Sequence, residues 1–152
     1  MRISEKFPSE SIKYKNRESD IKFTENKRLY NVLNPERKEI LGIKVDNGLI
    51  CDKSIRCDYS LIVENDICFL IELKGADVSY ASEQIMNTRM LFLKKYGVEK
   101  FVARIICSKV KTAELHSHAY KKLALEMKKL NKQFNISYTP IIQKTDKLVE
   151  TI

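Results

Sequence analysis

Apolar and polar positions along the chain fall into short blocks with two different periods. Residues 1–24 are polar, with Pro8, scattered serines and mixed charges, and predict a loose N-terminal arm. Thr24 is placed to cap a short helix over 25–33, closed at Asn34-Pro35 because proline disfavours helix in the residue before it. Residues 39–45 alternate loosely and run into Asp46-Asn47-Gly48, a turn signal, with 49–51 as a return strand. A further strand is predicted over 56–63, a turn at 64–66, and then the densest apolar block of the chain, Ile67-Cys-Phe-Leu-Ile, continuing Glu72-Leu73-Lys74-Gly75. That block reads as a short buried strand.

Residues 79–96 change to helical spacing, with Ala81, Ile85, Met86 and Phe92 on one face, Asp77 or Ser79 as the cap and Gly97 as the stop. Residues 101–107 form a second buried strand, parallel to an earlier one across that helix. A second long helix is predicted over 117–132. Tyr120, Leu123, Ala124, Met127 and Leu130 make its apolar face, and Lys121, Lys122, Lys128, Lys129 and Lys132 the other. Residues 136–142 predict an edge strand interrupted by Pro140, and the tail, 143–152, reads as loose. The fold class that follows is α/β: a mixed central sheet with helices on both faces, in the order helix, three antiparallel strands, helix, strand, helix, strand.

The strand at 67–75 ends in an unusual way. Successive side chains of a strand alternate, so Glu72 and Lys74 share one face at the end of a core element. Burying either charge alone costs several kcal/mol or more, so each needs partners. A plain edge ion pair is one solution; a bound metal and a phosphate are another. The tripeptide itself decides nothing, because Glu25-Asn26-Lys27, Glu36-Arg37-Lys38, Glu126-Met127-Lys128 and Asp20-Ile21-Lys22 share its pattern. What distinguishes Glu72 is a second acid on the preceding strand. With a three-residue loop at 64–66, Val63 faces Ile67 and Asp58 falls opposite Glu72, bringing their Cβ atoms about 4.5–5.5 Å apart. Two carboxylates that close repel unless one is protonated or a cation lies between them. A two-residue turn would move Asp58 opposite Leu73 instead.

Length adds that 152 residues suit a single domain with a real core. No secretory signal and no apolar run near 20 residues is visible, so a cytoplasmic, non-membrane protein is expected. Cys51, Cys57, Cys68 and Cys107 fit no zinc spacing and read as reduced thiols. His116 and His118 would lie on different faces of a helix, which disfavours a shared metal ion. Of the net charge of +8, residues 1–53 carry +3 (12 Lys/Arg against 9 Asp/Glu), 54–107 carry zero (7 against 7), and 108–152 carry +5 (9 against 4). A neutral centre with basic flanks suits a nucleic-acid partner, and equally a solvated lysine surface. Arg56, on the same strand face as Asp58, has two readings: a phosphate contact, or a salt bridge to Asp46 or Asp52.

Asp58 on one hairpin strand, Glu72-x-Lys74 on the next, and Gln84 on the following helix together resemble the PD-(D/E)XK nuclease superfamily, which shares the restriction-endonuclease-like fold. The resemblance spans roughly residues 40–107, and Cys57 stands where the name-giving proline would be. It implies an αβββαβ core and a homodimer. Asp58, Glu72 and the Leu73 carbonyl would hold Mg²⁺, with Mn²⁺ as a substitute. Asp58, Glu72, Lys74 and Gln84 would be the catalytic set: Lys74 holding or deprotonating the attacking water, or stabilising the phosphorane, and Gln84 donating to a phosphate or that water. An acid on the first helix is common in the superfamily, and Glu25, Glu36 and Glu39 are candidates. Tyr80 and Thr88, four residues either side of Gln84, would line the groove. The expected activity is that of a Mg²⁺-dependent endonuclease acting on DNA rather than RNA. The alternative is an inactive nuclease-fold module that binds nucleic acid or a protein; a toxin or phage-defence effector would share the chemistry on another target.

Overall fold

A computed structural model describes residues 2–74 and 76–152; Gly75, the expected end of the Glu-Leu-Lys strand, lies outside the described residues. Why β-strands dominate the first third is clear from alternation. Ile21 and Phe23 point inward from β2 (Asp20–Glu25), and Tyr30 and Val32 inward from β3 (Arg28–Leu33), with polar residues between. Asn26 and Lys27 join them, both at positive φ (51° and 62°), as a two-residue hairpin of the primed type requires. The helix expected over 25–33 is therefore a hairpin: its period is two, and the Thr24 and Pro35 signals only flank it.

The expected N-terminal arm is likewise structured, with β1 (Ile12–Asn16) pairing antiparallel with β4 (Ile40–Lys44). The sheet continues through β5 (Tyr59–Val63), β6 (Ile67–Lys74), β7 (Lys100–Cys107) and β8 (Ile141–Lys144), in the order β1-β4-β5-β6-β7-β8. Pairs up to β5–β6 are antiparallel, and β6–β7 and β7–β8 are parallel, which makes the sheet mixed. Residues 49–51 do not form a return strand; an isolated bridge joins Asp46 to Ile50, and the chain runs irregularly to Asp58.

One face of this sheet is covered by α1 (Val78–Tyr96) and α3 (His118–Gln133), with a short α2 (Thr112–Leu115) before the latter. Asp77 caps α1 by accepting from the Tyr80 N–H, Gly97 ends it at φ 67°, and Ser117 caps α3. The core beneath the helices takes Leu41, Ile62, Cys68 and Leu70 from the sheet and Ala81, Ile85, Phe92, Leu123 and Met127 from the helices.

The other face departs from the expected helix-flanked arrangement. It is covered by a second, three-stranded sheet of order β2-β3-β9, with Ile21, Phe23, Tyr30 and Val32 packed on Leu61, Phe69, Ile71 and Val102. The tail expected to be loose supplies β9 (Lys147–Thr151), parallel to β3. Both faces of β5 and β6 are thus buried, which explains their unbroken apolar runs. Gly42 on β4 is needed for closeness: a Cβ there would stand 3.0 Å from Tyr14 and 3.3 Å from the Phe23 ring.

The layers are tied together by a charge. Arg104 on β7 is fully buried and faces the second sheet, where its guanidinium bonds both Glu150 oxygens (2.7 and 3.0 Å). Tyr30 Oη donates to the same carboxylate at 2.6 Å, and Thr139 accepts from the arginine through its carbonyl and its hydroxyl. Among the described residues no helix is long and apolar enough to cross a membrane.

Candidate active site at the ends of β5 and β6

The loop between β5 and β6 has three residues, 64–66, and the register runs Val63↔Ile67 through Tyr59↔Ile71. Asp58, one residue before β5, therefore stands opposite Glu72. The two are stitched by their own main chains: the Asp58 N–H donates to Glu72 Oε1 (3.1 Å), and the Leu73 N–H to Asp58 Oδ2 (2.8 Å). Both side chains are buried, Glu72 at 2% exposure and Asp58 at 8%. They share the helix-facing side of the sheet, at the carboxyl end of β6 and β7, where α/β folds usually place their sites.

Burial sets the electrostatics of the pair. Desolvation raises the Asp58 carboxyl to about 6, opposed by the bond from the Leu73 N–H and reinforced by the charges of Glu25 and Asp46. Glu72 is raised to about 9 by desolvation first and by the Asp58 charge second, against the pull of Lys74. A hydrogen bond between the two carboxyl groups divides them further, lowering one and raising the other. Without a cation the pair therefore shares a proton at neutral pH.

The stability consequence has a definite sign. Both folded values exceed the ordinary carboxylate value near 4, so the native state binds more protons and stability falls as pH rises through about 4 to 9. Glu72→Gln should flatten that slope and, in EDTA at pH 8, stabilise the fold by on the order of 2 kcal/mol. Urea titrations of both proteins at pH 5 and pH 8 measure this; equal pH slopes would contradict it.

Lys74 reaches the pair from the same strand face. Its Nζ lies 3.9 Å from Glu72 Oε2, 3.0 Å from Gln84 Oε1 and 4.1 Å from the centre of the Tyr80 ring. Gln84 does not present its amide nitrogen to the groove as expected, because Nε2 donates to the Arg56 carbonyl at 3.0 Å. That carbonyl can only accept, so the amide orientation is fixed and Oε1 must face Lys74. Gln84 thus positions the lysine. Tyr80 is exposed and, with Arg56, Gln84, Asp46 and Asp52, lines a cleft of about 340 Å³ that adjoins Lys74 through Gln84 and Tyr80 but is not lined by Asp58, Glu72 or Lys74. Thr88 does not line it: it is buried, accepts from the Cys57 N–H (2.9 Å) and donates to the Gln84 carbonyl, pinning α1 to the start of β5.

Arg56 takes the salt-bridge reading. Its Nε bonds Asp46 at 2.9 Å, and Nη1 meets the Asp52 and Ser54 carbonyls. The three candidate acids separate cleanly. Glu39 pairs with Arg2 and accepts at its carbonyl from Glu64, at the far end of the sheet, and Glu36 lies beside Lys38. Of the three, only Glu25 acts on Asp58: its charge raises both that carboxyl and the neighbouring Tyr59 hydroxyl.

It comes from the β2–β3 hairpin, where sequence reading expected a helix. The hairpin tip also brings Asn26, whose Nδ2 lies 3.4 Å from the Leu73 carbonyl, and Arg28. Both were missed from the sequence. The alternation of 20–33 about Asn26-Lys27 was the signal that could have located them.

Among the described residues no cluster of three or more His, Cys, Asp or Glu side chains is arranged to hold a metal ion. The oxygens gathered here are those of two buried carboxylates and, beside them, the Leu73 carbonyl, which accepts from Asn26 Nδ2. That set suits Mg²⁺, which keeps several waters and commonly takes one or two protein carboxylates together with substrate phosphate. Comparison with known proteins gives no match, whether by family model, curated protein or solved structure.

Proposed function

We propose that this chain is a divalent-metal-dependent nuclease that hydrolyses phosphodiester bonds, in DNA rather than RNA. The observation that carries the reading is the Val63↔Ile67 register, which sets two buried carboxylates opposite one another with Lys74 on the same face. In this reading the fold is a variant of the restriction-endonuclease-like core, with the β2–β3 hairpin in place of the first helix. Asp58, Glu72 and the Leu73 carbonyl would hold Mg²⁺ or Mn²⁺. The ion would supply Lewis acidity and a more acidic water.

The chain's own groups do the rest. Lys74 Nζ lies against Glu72, the Gln84 amide oxygen and the face of Tyr80. It acts as a fixed cation against the charge that develops on the phosphate, and Gln84 and Tyr80 hold it in place. Glu25 adds negative charge beside Asp58 and so favours a cation there. The basic flanks supply non-specific attraction to the strand.

Incubation with linear duplex, single-stranded and four-way-junction DNA in Mg²⁺ or Mn²⁺ should give cleavage of at least one substrate, suppressed by EDTA. No cleavage of any of them, together with no calorimetric heat on adding Mn²⁺, would remove the nuclease reading and leave a binding module.

A further inference from the structure

Arg28 differs from three arginines that carboxylates hold. Arg56 and Arg104 are held by Asp46 and Glu150, and Arg89 by Glu126. Arg28 has no carboxylate within ion-pair distance among the described residues. Its one hydrogen bond runs from Nη1 to the Asn26 carbonyl in its own turn, and its Nε is buried with no acceptor. A buried guanidinium nitrogen without an acceptor is costly and calls for a partner such as a water or an anion; Arg89 Nε shares the feature, but Glu126 holds that guanidinium through Nη2.

Two sets of contacts locate it. Through Asn26, the hairpin tip touches the carbonyl of Leu73, between Glu72 and Lys74. Through the main chain, the Leu29 N–H donates to the Asp146 carbonyl (3.0 Å) and the Asp146 N–H to the Cys107 carbonyl (3.2 Å). Cys107 is the register partner of Lys74. Arg28 therefore sits at the carboxyl end of β6 and β7, near Cys107 and its register partner Lys74. Lys27, Lys144 and Lys147 are exposed at the same edge; the acids nearby are Glu25, directly across the hairpin from Arg28, and Glu72, Asp146 and Glu114.

We propose that Arg28 binds a backbone phosphate of the substrate strand next to the scissile bond, which makes the β2–β3 hairpin the second wall of the active site. This rests on the nuclease reading of that site and goes beyond it by naming the phosphate ligand that Arg56, already held by Asp46, does not provide. A guanidinium fork matches two phosphate oxygens, and Arg28 is half-buried at this end of the sheet with no carboxylate holding it.

The test is equilibrium binding of fluorescein-labelled single-stranded and duplex DNA in Ca²⁺, followed across salt concentration, with cleavage in Mg²⁺ measured in parallel. For the DNA that wild type binds, Arg28→Gln should weaken affinity about 10-fold. It should also reduce the slope of log K against log salt by about 0.7–0.9, as loss of one phosphate contact requires. Arg28→Lys keeps the charge and a donor for the Asn26 carbonyl, so it should retain the wild-type slope with a few-fold loss of affinity. A weaker Arg28→Gln with an unchanged slope would mark a merely structural residue and overturn the assignment. So would equal binding by wild type and Arg28→Gln, with metal-dependent cleavage intact in both; the nuclease reading would then survive alone. Wild type that neither binds nor cleaves DNA would overturn both.

Discussion

Asp58→Asn and Lys74→Ala should each lower metal-dependent DNA cleavage by on the order of 10³-fold or more, with the fold retained. The two fail for different reasons. Asp58→Asn keeps the size of the side chain and an oxygen for the Leu73 N–H (2.8 Å) but removes a negative charge, so metal affinity falls with activity. Lys74→Ala leaves both carboxylates in place and removes the cation between Gln84 and Glu72, so metal affinity should hold while turnover is lost. Calorimetry with Mn²⁺ beside a cleavage assay separates the cases. Lys74→Arg keeps a cation that cannot serve as a base near neutral pH, so it should retain more activity than Lys74→Ala. Wild-type cleavage rates in both Asp58→Asn and Lys74→Ala would exclude this pair as the reaction centre.

Glu150→Ala should be the most damaging single change to stability, by about 3–5 kcal/mol, because it strands the fully buried charge of Arg104. Tyr30 loses its acceptor in the same change. Its hydroxyl is already held well above its ordinary value, by burial first and by the Glu150 charge second. The effect should reach beyond the tail, since β9 pairs with β3, and the β2–β3 hairpin carries Glu25, Asn26 and Arg28 to the site. Urea denaturation measures the loss. The double variant Arg104→Met/Glu150→Leu, which removes both charges, should recover most of it. If it were as unstable as Glu150→Ala, packing rather than an unpaired charge would be the cause.

The two predictions involve different parts of the chain, and those parts were unequally visible in the sequence. The hairpin that brings Asp58 opposite Glu72 was legible from local signals alone: an apolar run, turn residues at 64–66, and side-chain alternation. The α1 and α3 helices were legible too, since spacing and caps are local properties; of the two caps offered for α1, Asp77 is the one used, and Gly97 ends the helix as its position suggested. The roles of Gln84, Thr88 and Arg56 were not. Each depended on which polar group another loop would bring within 3 Å, and the segment from Asp46 to Asp58 supplies those groups from irregular chain.

What the sequence determined by itself is the central strand pair and the charged residues at its end, because a hairpin follows from residues close along the chain; the three-residue loop that fixes its register is seen in the structure. What only the tertiary structure decided is the second layer. The parallel pairing of β3 with β9 joins residues more than a hundred positions apart, with no turn to announce it. A buried arginine in β7 looks like any lone charge until Glu150 arrives from the tail. The hairpin of 20–33 becomes a wall of the site only once the large sheet offers an apolar face for Ile21, Phe23, Tyr30 and Val32. Local periodicity specifies an element and its buried side; what lies against that side is set by burial free energy summed over the whole chain.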